Sequence, residues 1–317
     1  MNLNLPALDR LLSCQNLLIA GMGGGFDIFC GLPIYFDLRS RGQRVHLGSY
    51  SFSDIEDLRD GERLTDTLVG VTADLEGPFA YFPEFYLSCW FREKQGEEIT
   101  IWSFHKTGVR PLLENYQTLV EHLGIDGILL IDGGVDSLNR GDEAEVGTLL
   151  EDAISLLAVG ELKQVPLRLV ACLGFGAERD MTHVHVLENI AKLTELGGFV
   201  GACALVRQME AYQNYEEAVL YVHEQRFQDT SVVNASVISA VRGHFGNHHL
   251  TEKTRGSNLW ISPLMPLYWF FELAMVARRN LLFSELRWTD TITDAYRGLL
   301  RGRRSLATRK RAKIPLT

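Results

Sequence analysis

A dense set of charged side chains directly follows one strand-like apolar run of the chain. Gly127–Ile131 leads into residues 132–143, a loop with four carboxylates, one arginine and three glycines. Carboxylates in such a loop can hold a divalent cation, orient ribose hydroxyls or act as a general base. We interpret the loop as functional. Its predicted catalytic residues are Asp132 and Asp136, and its predicted ligand-binding residues are Gly133, Gly134, Arg140 and Glu143.

Part of this loop also has a purely structural interpretation. Arg140 can neutralise a neighbouring carboxylate as well as grip a phosphate or a carboxylate of a ligand. Asp142 can cap a helix that begins near Ala144. A turn that satisfies its own polar groups explains Asp142, but it does not explain all four acids.

A glycine-rich loop, Gly21–Gly25, follows another short apolar strand and precedes helical sequence. Glycine lets a backbone approach a ligand closely, and the start of a helix offers free N–H groups to anions. We therefore predict that Gly23, Gly24, Gly25 and Asp27 bind the ligand. The alternative is a tight turn that serves packing, with Asp27 as a helix cap.

A third charged segment begins at Gly174 and contains Glu178, Arg179, Asp180 and His183. Asp180 and His183 are three residues apart and share a face if a helix starts near Asp180. We predict catalytic roles for Asp180 and His183 and ligand binding by Glu178 and Arg179. His185 then faces elsewhere and is predicted to pair with Glu188. In an extended segment both histidines align, and a metal site becomes a credible alternative.

Further ligand and metal candidates follow from the same reasoning. His105 ends a predicted strand at the same sheet edge and is a candidate ligand contact. The cofactor is left open between a nucleotide and a divalent metal. If a metal binds, its predicted ligands come from the set Asp132, Asp136, Asp142, Asp180 and His183.

The elements that must position these residues alternate between strands and helices. Strands are predicted at residues 16–20, 44–50, 84–92, 98–104, 127–131, 167–173 and 199–206. One helix is predicted to begin at Asp27, and others are predicted at residues 111–122, 144–159 and 209–225. A further helix is predicted after Gly176 and ends at Leu196. The segment 54–83 shows little periodicity and is predicted to be irregular. Residues from 231 onward are predicted to be mostly helical.

This alternation indicates an α/β fold with a Rossmann-like, mostly parallel sheet and helices on both faces. We predict a single domain over residues 1–317, with the helical part 231–317 packed on it. The apolar region Leu259–Ala277 contains two prolines and a glutamate, so it does not resemble a membrane span. It is predicted to be a buried helix, and a homo-oligomer interface is the alternative.

Composition excludes some classes of partner. The net charge of −9 argues against general affinity for nucleic acid or anionic membranes. Eight cations and no acid lie from Arg297 onward, and we expect this basic tail to dock on the acidic body. Five cysteines without a Cys-x-x-Cys pair suggest reduced, mostly buried thiols. With no recognisable secretory signal at the N-terminus, the expected location is cytoplasmic.

Two resemblances concern these same residues. Gly23–Gly25 followed by Gly31-Leu-Pro33 resembles the NAD-binding spacing of sirtuins over about a dozen residues. The zinc cysteines and catalytic histidine of sirtuins have no counterpart, so deacylase activity is not implied. More widely, the chain resembles the uncharacterised bacterial and archaeal family called domain of unknown function 1152. The matching motifs are the glycine-rich loop with Asp27, the 132–143 loop, Glu178-Arg-Asp180 with His183, Leu187-Glu-Asn-Ile190, and Pro263-Leu-Met-x-Leu-Tyr-Trp269. That resemblance implies a cytoplasmic protein with a Rossmann-like core, and it implies no reaction.

Three functions are consistent with these patterns. The first is a hydrolase or group transferase that acts on a small, anionic, phosphorylated or nucleotide-like molecule at the carboxyl edge of the sheet. The second is a metal-dependent hydrolase with an Asp/His cluster. The third is a small-ligand sensor without turnover.

Overall fold

The computed structural model describes residues 6–77, 79–145, 147–178 and 181–310. The strands are β1 Asn16–Gly21, β2 Arg44–Tyr50, β3 Glu62–Thr65, β4 Leu68–Val71, β5 Ile101–Phe104, β6 Gly127–Gly133, β7 Leu167–Leu173, β8 Phe199–Ala204 and β9 Leu267–Glu272. The helices are α1 Pro6–Leu12, α2 Asp27–Ser40, α3 Pro83–Trp90, α4 Val109–Leu123, α5 Leu149–Glu161, α6 His183–Glu195, α7 Glu210–His223, α8 Val232–Val241, α9 Leu273–Arg279, α10 Phe283–Leu286 and α11 Ile292–Ser305.

These strands form one mixed sheet in the order β3-β4-β5-β2-β1-β6-β7-β9-β8. The five central strands, from β5 to β7, are parallel. The pairs β3–β4 and β4–β5 on one side, and β7–β9 and β9–β8 on the other, are antiparallel. The predicted α/β class is therefore confirmed, with a sheet that is parallel in its centre and antiparallel at both edges.

The order of the central strands reverses between β1 and β6. From β1 the chain proceeds outward to β2 and β5, and it then returns to place β6 and β7 on the opposite side of β1. Where connections leave a sheet in different directions at such a reversal, a crevice is expected beyond the carboxyl ends of the strands, here β1 and β6. In open α/β sheets ligands bind at such a reversal.

Alternating side chains of the central strands fill two separate cores. On β1, Leu18 and Ala20 point into the core built with α4 and α5, whereas Leu17 and Ile19 point into the core built with α2 and α7. Period-two alternation in a strand covered on both faces requires apolar residues at every position. The uninterrupted apolar runs of β1, β6 and β7 satisfy this requirement, and they bury the sheet beneath helices on both faces.

Most of the predicted strands and helices agree with the structure, and four predictions were wrong or incomplete. Residues 84–92 were predicted to be a strand, but they lie mainly in α3. Pro83 stands in the first turn of this helix, where proline is tolerated, and Leu87, Trp90 and Phe91 are buried at helical spacing. The aromatic residues of this segment favour strands intrinsically, and packing overrides that preference.

The helix predicted at 144–159 begins later, at Leu149, and extends to Glu161. Asp142 therefore does not cap it. The segment 54–83, predicted to be irregular, contains the β3–β4 hairpin.

The region after residue 231 is not all helical. Within Leu259–Ala277, predicted to be a buried helix or an interface, β9 inserts between β7 and β8, and α9 follows it. The run Leu267–Glu272 is rich in aromatic residues, which suit a pleated, buried surface. No helix within the described residues is both long and apolar enough to span a bilayer.

Candidate functional site: a cluster of buried carboxylates

Three aspartates from separate elements meet in the crevice at the carboxyl edge of the sheet. Asp27 begins α2, Asp132 lies near the end of β6, and Asp152 lies in the first turn of α5. One carboxylate oxygen of each lies within 4.8 Å of the corresponding oxygens of the other two. The loop after β1 and the strand β6 thus converge with a helix that sequence analysis had not placed at the site.

Two more carboxylates extend this group. The side chain of Asp136 lies close enough to those of Asp152 and Glu178 for each pair to share a proton. We call these five residues, Asp27, Asp132, Asp136, Asp152 and Glu178, the carboxylate cluster. Asp132, Asp136 and Asp152 are 1%, 2% and 2% exposed, whereas Asp27 and Glu178 keep part of their accessible surface.

Asp152 is the member that sequence analysis missed. It sits on the same stripe of α5 as Leu149, Ala153 and Leu156, which are buried in the core. A charged residue at a core-facing helical position is the signal that would have found it, because lone buried carboxylates are rare. Its Oδ2 atom is buried and has no hydrogen-bond partner.

Hydrogen bonds fix the other four carboxylates in place. The donors are Gly23 N to Asp27 Oδ2 (2.7 Å), Ser137 N to Asp132 Oδ2 (3.1 Å), Thr148 N and Oγ1 to Asp136 Oδ2 (2.6 and 2.8 Å), and Val135 N to Glu178 Oε2 (3.1 Å). The Ser137 hydroxyl also donates to Asp132. Backbone donors cannot rotate away, so the loops hold these carboxylates in fixed orientations.

Glycines let the carboxylates pack directly against the backbone. A Cβ atom at Gly133 would lie 2.6 Å from Asp27 Oδ1, and one at Gly147 would lie 2.7 Å from Asp136 Oδ2. A Cβ atom at Gly134 would overlap the Glu178 carboxylate, and one at Gly23 would overlap Asp152. These glycines are therefore required by the carboxylate cluster itself.

The other two glycines of the first loop are covered by aromatic side chains. The Phe52 ring lies over Gly24, where a Cβ atom would be 2.8 Å from it. The Tyr81 hydroxyl lies over Gly25, at 2.9 Å from the equivalent position. Ligand contact by this loop remains a prediction, since protein side chains occupy these close approaches.

Burial and mutual repulsion make ionisation of the carboxylate cluster costly. The pKa of Asp27 is raised to about 7, chiefly by desolvation and also by the nearby charge of Asp136, while the hydrogen bonds from Gly23 and Gly133 act against this rise. Desolvation, followed by the charge of Asp136, also raises the pKa values of Asp132, Asp152 and Glu178 well above their ordinary range. Within residues 6–77, 79–145, 147–178 and 181–310, no arginine, lysine or histidine side chain contacts the cluster. The cluster therefore favours bound protons, and its oxygen atoms are a group that could hold a cation in their place.

Several predicted site residues lie elsewhere or cannot be placed. Arg179 and Asp180 are outside the described residues. The His183 ring packs against the rings of Phe175 and Trp260, at centroid distances of 5.3 and 4.9 Å, and burial lowers its pKa. His105 pairs with Glu56 at 3.3 Å. Neither histidine contacts the cluster within the described structure.

Arg140, Asp142 and Glu143 belong to a second polar group that receives the basic C-terminal segment. Arg309 forms ion pairs with Asp142 (3.1 Å), Glu143 and Glu188 (3.1 Å), and its backbone N–H donates to the Asp142 carbonyl. The Arg140 Nη2 atom lies 3.7 Å from Asp142 Oδ2. The predicted docking of the basic tail on the acidic body is confirmed for its described part, up to residue 310, and Asp142 is not part of the carboxylate cluster.

The remaining contacts of this second group correct a further prediction. His185 was expected to pair with Glu188, but its Nε2 atom contacts the Lys310 carbonyl at 3.1 Å. Glu143, which is 1% exposed, would have its pKa raised by burial alone. Hydrogen bonds from the Arg140 N–H and the Asn189 amide reverse this and lower it. Glu143 is thus held ionised as a structural anchor.

Comparison with known proteins agrees with the resemblance drawn from the motifs. Residues 18–304 match the family described as "Protein of unknown function (DUF1152)". The chain belongs to this family. No curated protein and no solved structure gave a significant match.

Substitution Asp152→Asn should stabilise the metal-free protein at pH 8. It replaces a carboxyl that is costly to ionise in this environment with a neutral side chain of the same shape, so the free energy of unfolding should rise by about 1–3 kcal/mol. For a carboxyl whose folded pKa is raised, stability falls as pH rises from the ordinary pKa to the folded one. The gain should therefore be smaller at pH 5. Urea unfolding in EDTA at both pH values measures it.

Asp126→Asn is the matched control for this experiment. Asp126 accepts hydrogen bonds from Gln15 N (2.8 Å) and Asn16 N (2.9 Å) at the opposite edge of the sheet. Its substitution should lower stability and show no gain at pH 8. Destabilisation by Asp152→Asn at pH 8 would contradict the repulsion argument.

Substitution Arg309→Ala should destabilise the protein, because it leaves the buried Glu143 carboxylate without its arginine partner. The expected cost at pH 7 is about 2 kcal/mol in the free energy of unfolding. Glu143 has a lowered pKa, so this contribution is present above the ordinary glutamate pKa and is lost as pH falls through the folded one. Thermal unfolding at pH 7 and pH 3.5, with the exposed Arg304→Ala as control, checks it. Equal effects of both variants at pH 7 would count against the docking role.

Proposed function

We propose that the protein is a divalent-cation-dependent enzyme, a hydrolase or group transferase, that acts on a small phosphorylated or nucleotide-like molecule. The molecule would bind in the crevice between the loops after β1 and β6. The order β5-β2-β1-β6-β7 supports a Rossmann-like arrangement, in which this crevice is the usual binding place.

The observation that carries this proposal is the meeting of Asp27, Asp132 and Asp152, with three oxygens within 4.8 Å and one unpartnered buried Oδ2 atom on Asp152. Oxygen-only ligand sets suit Mg²⁺ or Mn²⁺. Octahedral Mg²⁺ keeps cis ligand oxygens about 3 Å apart and trans oxygens about 4.2 Å apart, and at most one pair among three ligands can be trans. The three aspartates, with oxygens up to 4.8 Å apart, would therefore need to close by up to about 2 Å. Binding would relieve the repulsion that raises their pKa values.

The residues of the cluster divide into different roles in this proposal. Asp27, Asp132 and Asp152 hold the cation, which supplies Lewis-acid polarisation of a phosphoryl oxygen when bound. Asp136, fixed by Thr148, orients its neighbours Asp152 and Glu178. Glu178 has a raised pKa and keeps accessible surface, as a group that passes a proton to or from substrate requires. Hydrolysis or group transfer fits this set better than hydride transfer does.

Titration with Mn²⁺ tests the proposal. Isothermal calorimetry on EDTA-treated, dialysed protein should detect one binding event, and Asp132→Asn should weaken it at least about tenfold because one charged ligand is lost. Asp126→Asn, at the opposite sheet edge, should bind Mn²⁺ like the wild type. Absence of Mn²⁺ binding by the wild type would overturn the proposal.

Turnover is tested separately, with a panel of phosphate esters and nucleotides and Mn²⁺ or Mg²⁺ present. Activity should depend on the metal and should be abolished by Glu178→Gln, with Mn²⁺ affinity reduced less than in Asp132→Asn. A ligand that binds tightly and is recovered unchanged by mass spectrometry would instead support a sensor without turnover.

A further inference from the structure

We propose that Lys106 binds the anionic group of the substrate. Its ammonium lies between the Phe52 ring, which covers Gly24, and Glu151 on α5, the helix that carries Asp152. The substrate class is thereby narrowed to molecules with a phosphate group. This inference rests on the proposed function, and its test separates the two.

Lys106 reaches the crevice from a neighbouring strand. It follows β5 by two residues, at the carboxyl edge of the sheet. Its ammonium lies 4.1 Å from the centre of the Phe52 ring, which itself covers Gly24 of the first loop. The Lys106 side chain therefore extends past β2, and its ammonium lies beside the glycine-rich loop.

On its other side Lys106 pairs with a carboxylate next to the cluster. Its Nζ atom lies 3.3 Å from Glu151 Oε1. Glu151 precedes Asp152 on α5 and is close enough to Asp27 to act on it electrostatically. An ammonium has three N–H donors, and this ion pair uses one of them.

The charge balance of the crevice explains why such a group is needed. Five carboxylates with one divalent cation still carry negative charge when ionised, which repels a phosphate. Two other basic side chains at this edge, His105 and Arg140, pair with Glu56 and Asp142, which lie outside the carboxylate cluster, whereas the partner of Lys106, Glu151, directly precedes Asp152. Lys106 is 34% exposed and so can turn from Glu151 toward an incoming anion.

The exposure of Phe52 supports the same assignment. Its ring is 41% exposed although it is large and apolar. A ring in this place keeps the lysine near the loop through a cation–π contact, without the fixed geometry of a second salt bridge. The contact with Phe52 therefore keeps the Lys106 ammonium near the site and still allows it to move toward an anion.

The test uses the full-length protein saturated with Mg²⁺ and inorganic phosphate as the probe, with binding followed by ³¹P NMR. The wild type should bind phosphate, Lys106→Ala should weaken binding at least about tenfold, and Lys106→Arg should recover most of it, since a charge-assisted hydrogen bond is lost and then replaced. Lys163→Ala is the matched control, because Lys163 lies before β7 at the opposite edge of the sheet. It should leave phosphate binding unchanged.

A fourth variant separates direct contact from a structural effect. Glu151→Gln removes the resting partner of Lys106, so phosphate binding should be equal to or tighter than that of the wild type. Weakening by Glu151→Gln to the level of Lys106→Ala would overturn the inference, since the ion pair itself would then be what matters. Phosphate binding by Lys106→Ala at wild-type strength, or no binding by the wild type, would also overturn it.

Affinity for Mg²⁺ alone distinguishes failure of this inference from failure of the proposed function. Lys106→Ala should keep wild-type Mg²⁺ affinity, whereas Asp132→Asn should lose it. If the cation binds as expected and Lys106 has no effect on phosphate, only the role of Lys106 fails.

Discussion

The burial of several carboxylates close to one another is the constraint on which the structure of this site depends. Asp132, Asp136 and Asp152 are almost fully buried, and Asp27 and Glu178 complete a connected group. Bringing such groups together costs free energy that well-packed apolar residues would not cost. Packing of the sheet, α2 and α5 offsets that cost, and in the function proposed above a bound cation would neutralise the group.

The surrounding backbone shows how the chain keeps this arrangement. Backbone N–H groups of Gly23, Ser137 and Thr148 each hold one carboxylate, and glycines at 133, 134 and 147 leave room for three of them. The reversal of strand order between β1 and β6 places the loops that follow these two strands side by side at the carboxyl edge of the sheet. The same few segments therefore fix the positions of the carboxylates and bring them close enough to repel one another.

A separate polar group stabilises the outer part of the 132–143 loop. Glu143 and Asp142 receive Arg309 from the C-terminal segment, while Asp132 and Asp136 face the crevice. One loop therefore has two functions, since its first half belongs to the carboxylate cluster and its second half anchors the end of the chain. Sequence analysis assigned both halves to a ligand, because all of its acids follow the same strand.

Local patterns predicted those features that depend on local sequence. The buried strand β6, the loop acids after it and the meeting of that loop with Asp27 follow from apolar runs that end in charged, glycine-rich segments. Asp152 was missed because its role depends on which face of α5 meets the sheet. The aromatic segment in α3 and the insertion of β9 depend on packing between distant parts of the chain. The His185–Lys310 contact joins residues that are 125 positions apart.

The most direct measurement is anomalous diffraction from crystals soaked in Mn²⁺. We expect an anomalous peak about 2 Å from carboxylate oxygens of Asp27, Asp132 and Asp152, with Asp152 Oδ2 among the ligands. A map without a peak there at saturating Mn²⁺ would contradict the proposed cation site.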